Sequence, residues 1–227
     1  MVQYVLFDLD ETLYPPTSGL MNAVSDRMRL YLQQEYAMPP ERAHALQTRY
    51  WREYGTTLRG LMLEYGINPQ RFLEFAHDVD VAQYLEPAPQ LRAQLQQIPL
   101  TKVIVTNADV PHAQRVLARL GVADQFQAIF DVVFFEYECK PARGAYERVL
   151  RALAARGDEC ILVEDTPRNL DAARELGIRT ILLLHPQAPR APDAAPTSAE
   201  CPAAANLCID DIAQVNAAIA TVAAASN

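Results

Sequence analysis

The sequence predicts an α/β fold: a doubly wound parallel sheet with helices on both faces, interrupted near its start by an inserted all-helical unit. Three observations carry this. Short apolar runs alternate with helical stretches of about ten residues, the signature of parallel βαβ units. The apolar runs break into polar or charged residues at their ends. Proline clusters at Pro15-Pro16 and Pro87-Ala88-Pro89 bracket a segment that shows helical periodicity and no strand.

Val5-Leu6-Phe7 is the first strand and ends in Asp8-Leu9-Asp10-Glu11-Thr12. Residues 1–14 and 88–227 are read as one α/β core and residues 15–87 as a helical insert. In the insert, Leu20, Val24, Met28 and Leu32 recur every four residues on one helical face. Pro39-Pro40-Glu41 opens a second helix that runs to Tyr54 and stops at Gly55. A third helix spans Leu58 to Tyr65 before Gly66, and Asn68-Pro69 supplies the cap and first residue of a fourth. Beyond Leu91, Lys102 to Val105 is a buried strand ending at Thr106-Asn107, and the helix from Pro111 to Leu120 closes at Gly121. Ile129 to Phe135 is the next strand, leading to Lys140-Pro141, and a helix covers Ala145 to Ala155. Cys160 to Val163 is a strand ending in Glu164-Asp165; Thr166 caps the helix after it, with Pro167 at its first position. Thr180 to Leu184 is a further strand, and His185 to Asn206, rich in Pro and Ala, is an irregular loop. Leu207 to Ile209 and an alanine-rich helix from Ile212 complete the chain.

A formal charge of −8 argues against a nucleic-acid polymer or an anionic membrane as partner, because both require concentrated Lys and Arg. There is no apolar run of about 18 residues to span a bilayer, and the start of the chain reaches Asp8 too early for a secretory leader. The cysteines Cys139, Cys160, Cys201 and Cys208 lack the short paired spacing of zinc or redox motifs, so reduced thiols and a cytoplasmic location are expected.

Strand ends of a parallel sheet share one edge, so Asp8, Asp10, Thr106, Asn107, Lys140, Glu164 and Asp165 converge there. Taken alone, the acid pair at Asp8 and Asp10 suits a polar turn with a helix cap as well as a metal site. Together with the other strand ends it suits a phosphoryl group held by a divalent cation. Asp8 is then the oxygen nucleophile and Asp10 the acid and base. Mg²⁺ would be shared by Asp8, the Asp10 carbonyl and Asp165, with Glu164 acting at one remove through water. Thr106 and neighbouring backbone N–H groups would hydrogen-bond the phosphoryl oxygens, and Lys140 would offset the negative charge.

In this order and at these strand ends, Asp8-Leu9-Asp10-Glu11-Thr12, Thr106-Asn107, Lys140-Pro141 and Glu164-Asp165 with Asn169 resemble the four motifs of the haloacid dehalogenase (HAD) superfamily over nearly the whole chain. The resemblance implies a Rossmann-like core, Mg²⁺ as cofactor, the first Asp as nucleophile, and an insert that works as a C1-type helical cap. Because dehalogenase members lack the second acid and phosphatases carry it, Asp10 implies a phosphatase. Tyr54-Gly55-Thr56-Thr57-Leu58-Arg59-Gly60-Leu61, Phe75-Ala76-His77-Asp78-Val79-Asp80 and Thr106-Asn107-Ala108 with His112-Ala113 look like the pyrimidine 5′-nucleotidase subfamily. That implies UMP and CMP as substrates of a monomer or small homo-oligomer, with Tyr54, Thr57 and Arg59 as cap contacts and Tyr54 or Trp51 as the stacking aromatic. The alternative readings are a phosphatase for phosphoglycolate or sugar phosphates and, from a different class, a phospho-aspartate signalling or binding domain.

Overall fold

The computed structural model describes residues 1–186 and 201–225. The chain builds one parallel six-stranded sheet from β1 (Tyr4–Phe7), β2 (Thr101–Val105), β3 (Ala128–Phe130), β4 (Cys160–Glu164), β5 (Arg179–Leu183) and β6 (Leu207–Ile209). Its order is β3-β2-β1-β4-β5-β6, so the first strand is central and the chain winds outward from it in both directions. Crossovers run through α5 (Pro89–Gln96), α6 (Val110–Leu120), α7 (Arg143–Ala152) and α8 (Arg168–Glu175), with α9 (Val215–Ala224) following β6.

Alternation along the strands sorts the interior into two layers. Val5, Phe7, Ile104, Ile161, Val163 and Ile181 pack on one face with residues of α5, α6 and α9. Leu6, Val103, Val105, Leu162 and Leu182 face the other way, against Ala145, Tyr146 and Val149 of α7 and Leu170 and Ala173 of α8. The polar edge is therefore reached only where the strands run out.

Between β1 and α5 lie α1 (Leu20–Tyr36), α2 (Pro40–Tyr54), α3 (Thr57–Tyr65) and α4 (Pro69–Ala76). They enclose their own apolar cluster of Tyr31, Leu32, Tyr50, Leu61, Phe72 and Leu73. Leu20, Val24 and Leu32 of the expected α1 face are buried. Asn68 caps α4, accepting the Arg71 N–H at 3.1 Å, with Pro69 in its first turn. Thr56 caps α3 in the same way, accepting the Arg59 N–H at 3.1 Å.

Three expectations are corrected. The strand expected over 129–135 stops at Phe130, because buried Asp131 accepts the N–H groups of Phe134 at 2.8 Å and Val110 at 3.0 Å and bends the chain into a turn. Glu136 and Tyr137 continue that turn at positive φ, 53° and 62°. The helix after β4, α8, begins at Arg168 rather than Pro167, and Thr166 provides no side-chain cap; its hydroxyl faces Asp165. Cys201 and Cys208 are joined by a disulfide, contrary to the expectation of reduced thiols, while Cys139 and Cys160 are free and buried. The return is made by residues 201–206: Asn206 donates its N–H to Thr180 O and accepts the Thr180 N–H on Oδ1, doubling the segment back beside β6. Of the loop expected over 185–206, residues 187–200 lie outside the described residues. Among the described residues no helix is long and apolar enough to cross a membrane.

Candidate active site

The pairing register sets the geometry. Phe7 is level with Ile104 of β2 and Val163 of β4, so the next residue, Asp8, emerges beside the ends of both neighbours. Its N–H continues the ladder to Val163 O at 2.9 Å. Glu11 then adopts positive φ (61°), and the chain turns back so that the Thr12 hydroxyl lies 3.2 Å from Asp8 Oδ2 and 3.4 Å from Asp165 Oδ1. Thr106 closes β2; its hydroxyl accepts the Ala108 N–H at 3.0 Å, so its own proton remains available to donate.

Lys140 reaches the same point from the loop after β3. Asn107 clasps its peptide from both sides, accepting Lys140 N–H at 2.8 Å and donating to Lys140 O at 3.0 Å. The Asn107 amide is thus committed to holding Lys140. The Lys140 ammonium, 1% exposed, bridges Asp8 Oδ1 and Glu164 Oε2, each at 2.7 Å. Glu164 gives its other oxygen to the Thr166 N–H at 3.1 Å, so both of its oxygens are engaged.

Asp8, Glu164 and Asp165 bring carboxylate oxygens within 4.8 Å of one another. Burial and the charge of Glu164 push Asp8 up to about 7, against the pull of Lys140. Burial, Glu164 and Asp8 together push Asp165 well above the ordinary carboxylate range. Buried like charges of this kind call for a cation. The donor set is all oxygen, and buried Asn169, in the first turn after Asp165, has an Oδ1 without a partner among the described residues. These residues fit a hard divalent ion, with Asp8 and Asp165 as carboxylate ligands and Asp10 able to offer its backbone carbonyl.

The Asp10 side chain stands apart from that cluster. Its Oδ1 accepts the Tyr14 hydroxyl at 2.6 Å and pairs with His112 Nε2 at 2.9 Å. Burial would raise Asp10, but the charge and hydrogen bond of His112, with the Tyr14 bond, outweigh it and hold the carboxyl below its usual range. Tyr14 and His112 escape a reading by strand ends. The available signal was that His112 falls in the first turn of a helix capped by Asp109, at the edge where Thr106 already lies.

The helical insert meets this edge through the end of α2. Arg168, at the start of α8, donates to the carbonyls of Trp51 at 2.6 Å and Gly55 at 2.9 Å, and its guanidinium lies 3.8 Å over the Trp51 ring. Gly55, at φ 87°, sits so close to the Lys140 carbonyl that an added Cβ would lie 3.0 Å from it. Tyr54 directs its hydroxyl to Glu64 at 3.0 Å, and Thr57 is buried in the first turn of α3. Arg59 is half-buried and acts electrostatically on Cys139, the neighbour of Lys140.

The profile of haloacid dehalogenase-like hydrolases matches residues 2–177. Phosphate metabolism protein 8 of Saccharomyces cerevisiae is 25% identical over 193 residues, covering 78% of this chain and 60% of its own length. Enolase-phosphatase E1 of Sorangium cellulosum is 31% identical over 105 residues, 45% of this chain and 44% of its own. The chain therefore spans about 60% or less of the length of the curated relatives it matches. A HAD phosphatase from Thermococcus onnurineus superposes with TM-score 0.61 at 14% identity, covering 96% of this chain and 98% of that one. L-2-haloacid dehalogenase from Xanthobacter autotrophicus gives 0.58 at 19%, covering 97% and 99%. Both superpositions speak to the fold. With a profile match over most of its length and the four strand-end motifs on one sheet edge, the chain belongs to the haloacid dehalogenase-like hydrolases and is an enzyme of that family.

Proposed function

We propose that this hydrolase is a Mg²⁺-dependent phosphomonoesterase that carries the phosphoryl group on Asp8, with the pyrimidine nucleoside 5′-monophosphates UMP and CMP as substrates. The observation that carries the chemistry is the division of labour between two carboxylates. Asp8 is tied to Lys140 within the acidic cluster, while Asp10 is held outside it with Oδ2 unbonded among the described residues. Phosphatase-type relatives support the reaction class.

Asp8 attacks phosphorus as the ester P–O bond breaks, and the departing alkoxide takes the proton of Asp10. A bound phosphate adds negative charge beside Asp10 and raises its proton affinity, offsetting the depression in the free site. Water then attacks the phosphorus of the aspartyl-phosphate, its proton returns to Asp10, and the bond to Asp8 breaks. Thr106 donates its hydroxyl to a phosphoryl oxygen, as does the Asn107 N–H, while Lys140 holds Asp8 in place. The cation, held by Asp8, Asp165 and the Asp10 carbonyl, would neutralise the phosphoryl oxygens.

Residues 15–87 act in this proposal as a cap that excludes water and chooses the leaving group, with residues 1–14 and 88–227 as the catalytic core. Arg59, half-buried and acting electrostatically on Cys139 beside Lys140, is the cap side chain that contacts substrate in this proposal. The Tyr54 hydroxyl and one Trp51 face are engaged inside the protein, by Glu64 and Arg168. That commitment also favours a second reading, a phosphatase for small non-nucleotide phosphomonoesters that need no stacking aromatic. Phosphate release from UMP, CMP, IMP and phosphoglycolate, with and without Mg²⁺, separates the two. The proposal expects UMP and CMP to be preferred and chelation to abolish turnover; a preference for phosphoglycolate would transfer it to the second reading.

A further inference from the structure

A feature of the acid/base carboxylate goes beyond its identity. Both donors that hold Asp10 converge on one oxygen: Tyr14 at 2.6 Å and His112 Nε2 at 2.9 Å both meet Oδ1. Oδ2 takes no hydrogen bond from any described residue. A carboxylate buried only for stability gains most from sharing its partners between its oxygens; this one is saturated on one side and bare on the other.

The histidine is itself built in. His112 is fully buried, and its Nδ1 has no partner among the described residues. Of the two ring nitrogens only Nε2 faces a partner among the described residues, so it is the one that donates to Asp10. Its backbone is fixed by the helix cap, with Asp109 Oδ1 accepting the His112 N–H at 3.0 Å. The same Asp109 oxygen pairs with His77 Nδ1 at 2.9 Å, and the His77 ring stacks on His112 at 4.5 Å and 26°. Arg115 in turn donates to His77 O at 2.7 Å. Asp109, His77 and Arg115 thus hold the His112 imidazole, which with the Tyr14 phenol meets one carboxylate oxygen.

We propose that His112, with Tyr14, is a positioning residue that fixes the Asp10 rotamer by engaging Oδ1 and reserves Oδ2 as the oxygen that gives the proton to the leaving alkoxide and takes it back from water. The proposal rests on the phosphomonoesterase reading above. It concerns proton transfer alone: the bond that forms at Asp8 and the bond that breaks at phosphorus are unchanged, and the proton moves only between Asp10 Oδ2 and oxygen.

Leaving-group dependence tests it. An activated aryl ester such as para-nitrophenyl phosphate expels its leaving group without a proton, whereas an alkyl phosphomonoester such as UMP needs one. In His112→Ala, kcat/KM for the alkyl ester is expected to fall about 10²–10³-fold, the size of a general-acid contribution, while that for the aryl ester falls less than about tenfold. Because water attack on the phosphoenzyme still needs Asp10, the aryl ester should show a stoichiometric burst of nitrophenol before a slow steady state. His112→Gln, whose amide can donate from about the same place, should recover part of the alkyl rate. Tyr14→Phe, which removes only a hydroxyl, should show the same leaving-group bias more weakly and serves if the histidine variants fail to fold. Parallel losses on both esters in His112→Ala and Tyr14→Phe, with no burst, would overturn the proposal and leave both residues structural. If wild type releases no phosphate from any ester, the phosphomonoesterase reading itself fails, an outcome distinct from parallel losses.

Discussion

Lys140 is the side chain on which the most charge depends. Its ammonium is buried between Asp8 and Glu164, whose charges, against the opposing effect of burial, drive its proton affinity far above that of a free lysine. Lys140→Met should cost about 3–5 kcal/mol of stability, because it leaves two buried carboxylates without their cation; urea unfolding measures this, and a loss below about 1 kcal/mol would show the bridge to be energetically idle. His77 gives the clearest pH signature. Burial lowers its proton affinity below the ordinary 6.5, and neighbouring His112 adds to this, while the Asp109 hydrogen bond and the charges of Asp109 and Asp10 oppose it. The folded state thus binds fewer protons than the unfolded chain near that value, so its stability is full above pH ~6.5 and falls as pH drops through it. His77→Gln should flatten the melting temperature between pH 7 and 5; an unchanged slope would remove His77 from that account. At this scale the sequence disclosed Asp8, Thr106, Lys140, Glu164 and Asp165, since a parallel sheet sends its strand ends to one edge. Tyr14 was missed, and His77 and His112 entered only as part of a subfamily resemblance, because their role depends on where a side chain points from a turn or helix, which periodicity does not encode.

Among the elements, the α2–α3 pair packs closely, with the Tyr50 side chain set directly on Gly60. A Cβ on Gly60 would lie 2.2 Å from Tyr50 Cγ, while Tyr50 is fully buried and donates its hydroxyl to Glu64 at 2.7 Å. Gly60→Ala should therefore destabilise by about 1–3 kcal/mol through overpacking, although alanine by itself favours a helix by about 1 kcal/mol over glycine. A stabilised variant in urea unfolding would show that the helices move apart freely. The element pattern was readable wherever period and punctuation agreed, as for Asn68-Pro69 before α4 or Gly121 after α6. It misled over 129–135, where an apolar run looks like a strand but Asp131 accepts the Phe134 N–H and folds the run into a turn. The Cys201–Cys208 bond was hidden for a similar reason, since the doubling-back that joins the two depends on Asn206 and Thr180 across the sheet.

For the whole molecule, the helical insert meets the sheet edge through both apolar and polar contacts, with Val132 and Cys139 joining its apolar cluster. Arg168 caps the last carbonyls of α2 from the start of α8, one turn beyond the Asp165 cluster, and Gly55 rests on Lys140. Arg168→Ala should leave the sheet intact but speed hydrogen exchange at the end of α2, and should raise KM more than it lowers kcat if the insert works as a cap. Exchange unchanged at residues 50–57 would place the hold elsewhere. The central claim concerns the oxygen of Asp8. Its most direct test is to mix enzyme, Mg²⁺ and UMP, quench in acid within one turnover, and locate added phosphoryl mass by peptide mass spectrometry. The account predicts the phosphoryl group on the peptide containing Asp8 and its absence in Asp8→Asn; phosphate release that continues in Asp8→Asn, or a quenched enzyme that never carries the group there, would contradict it.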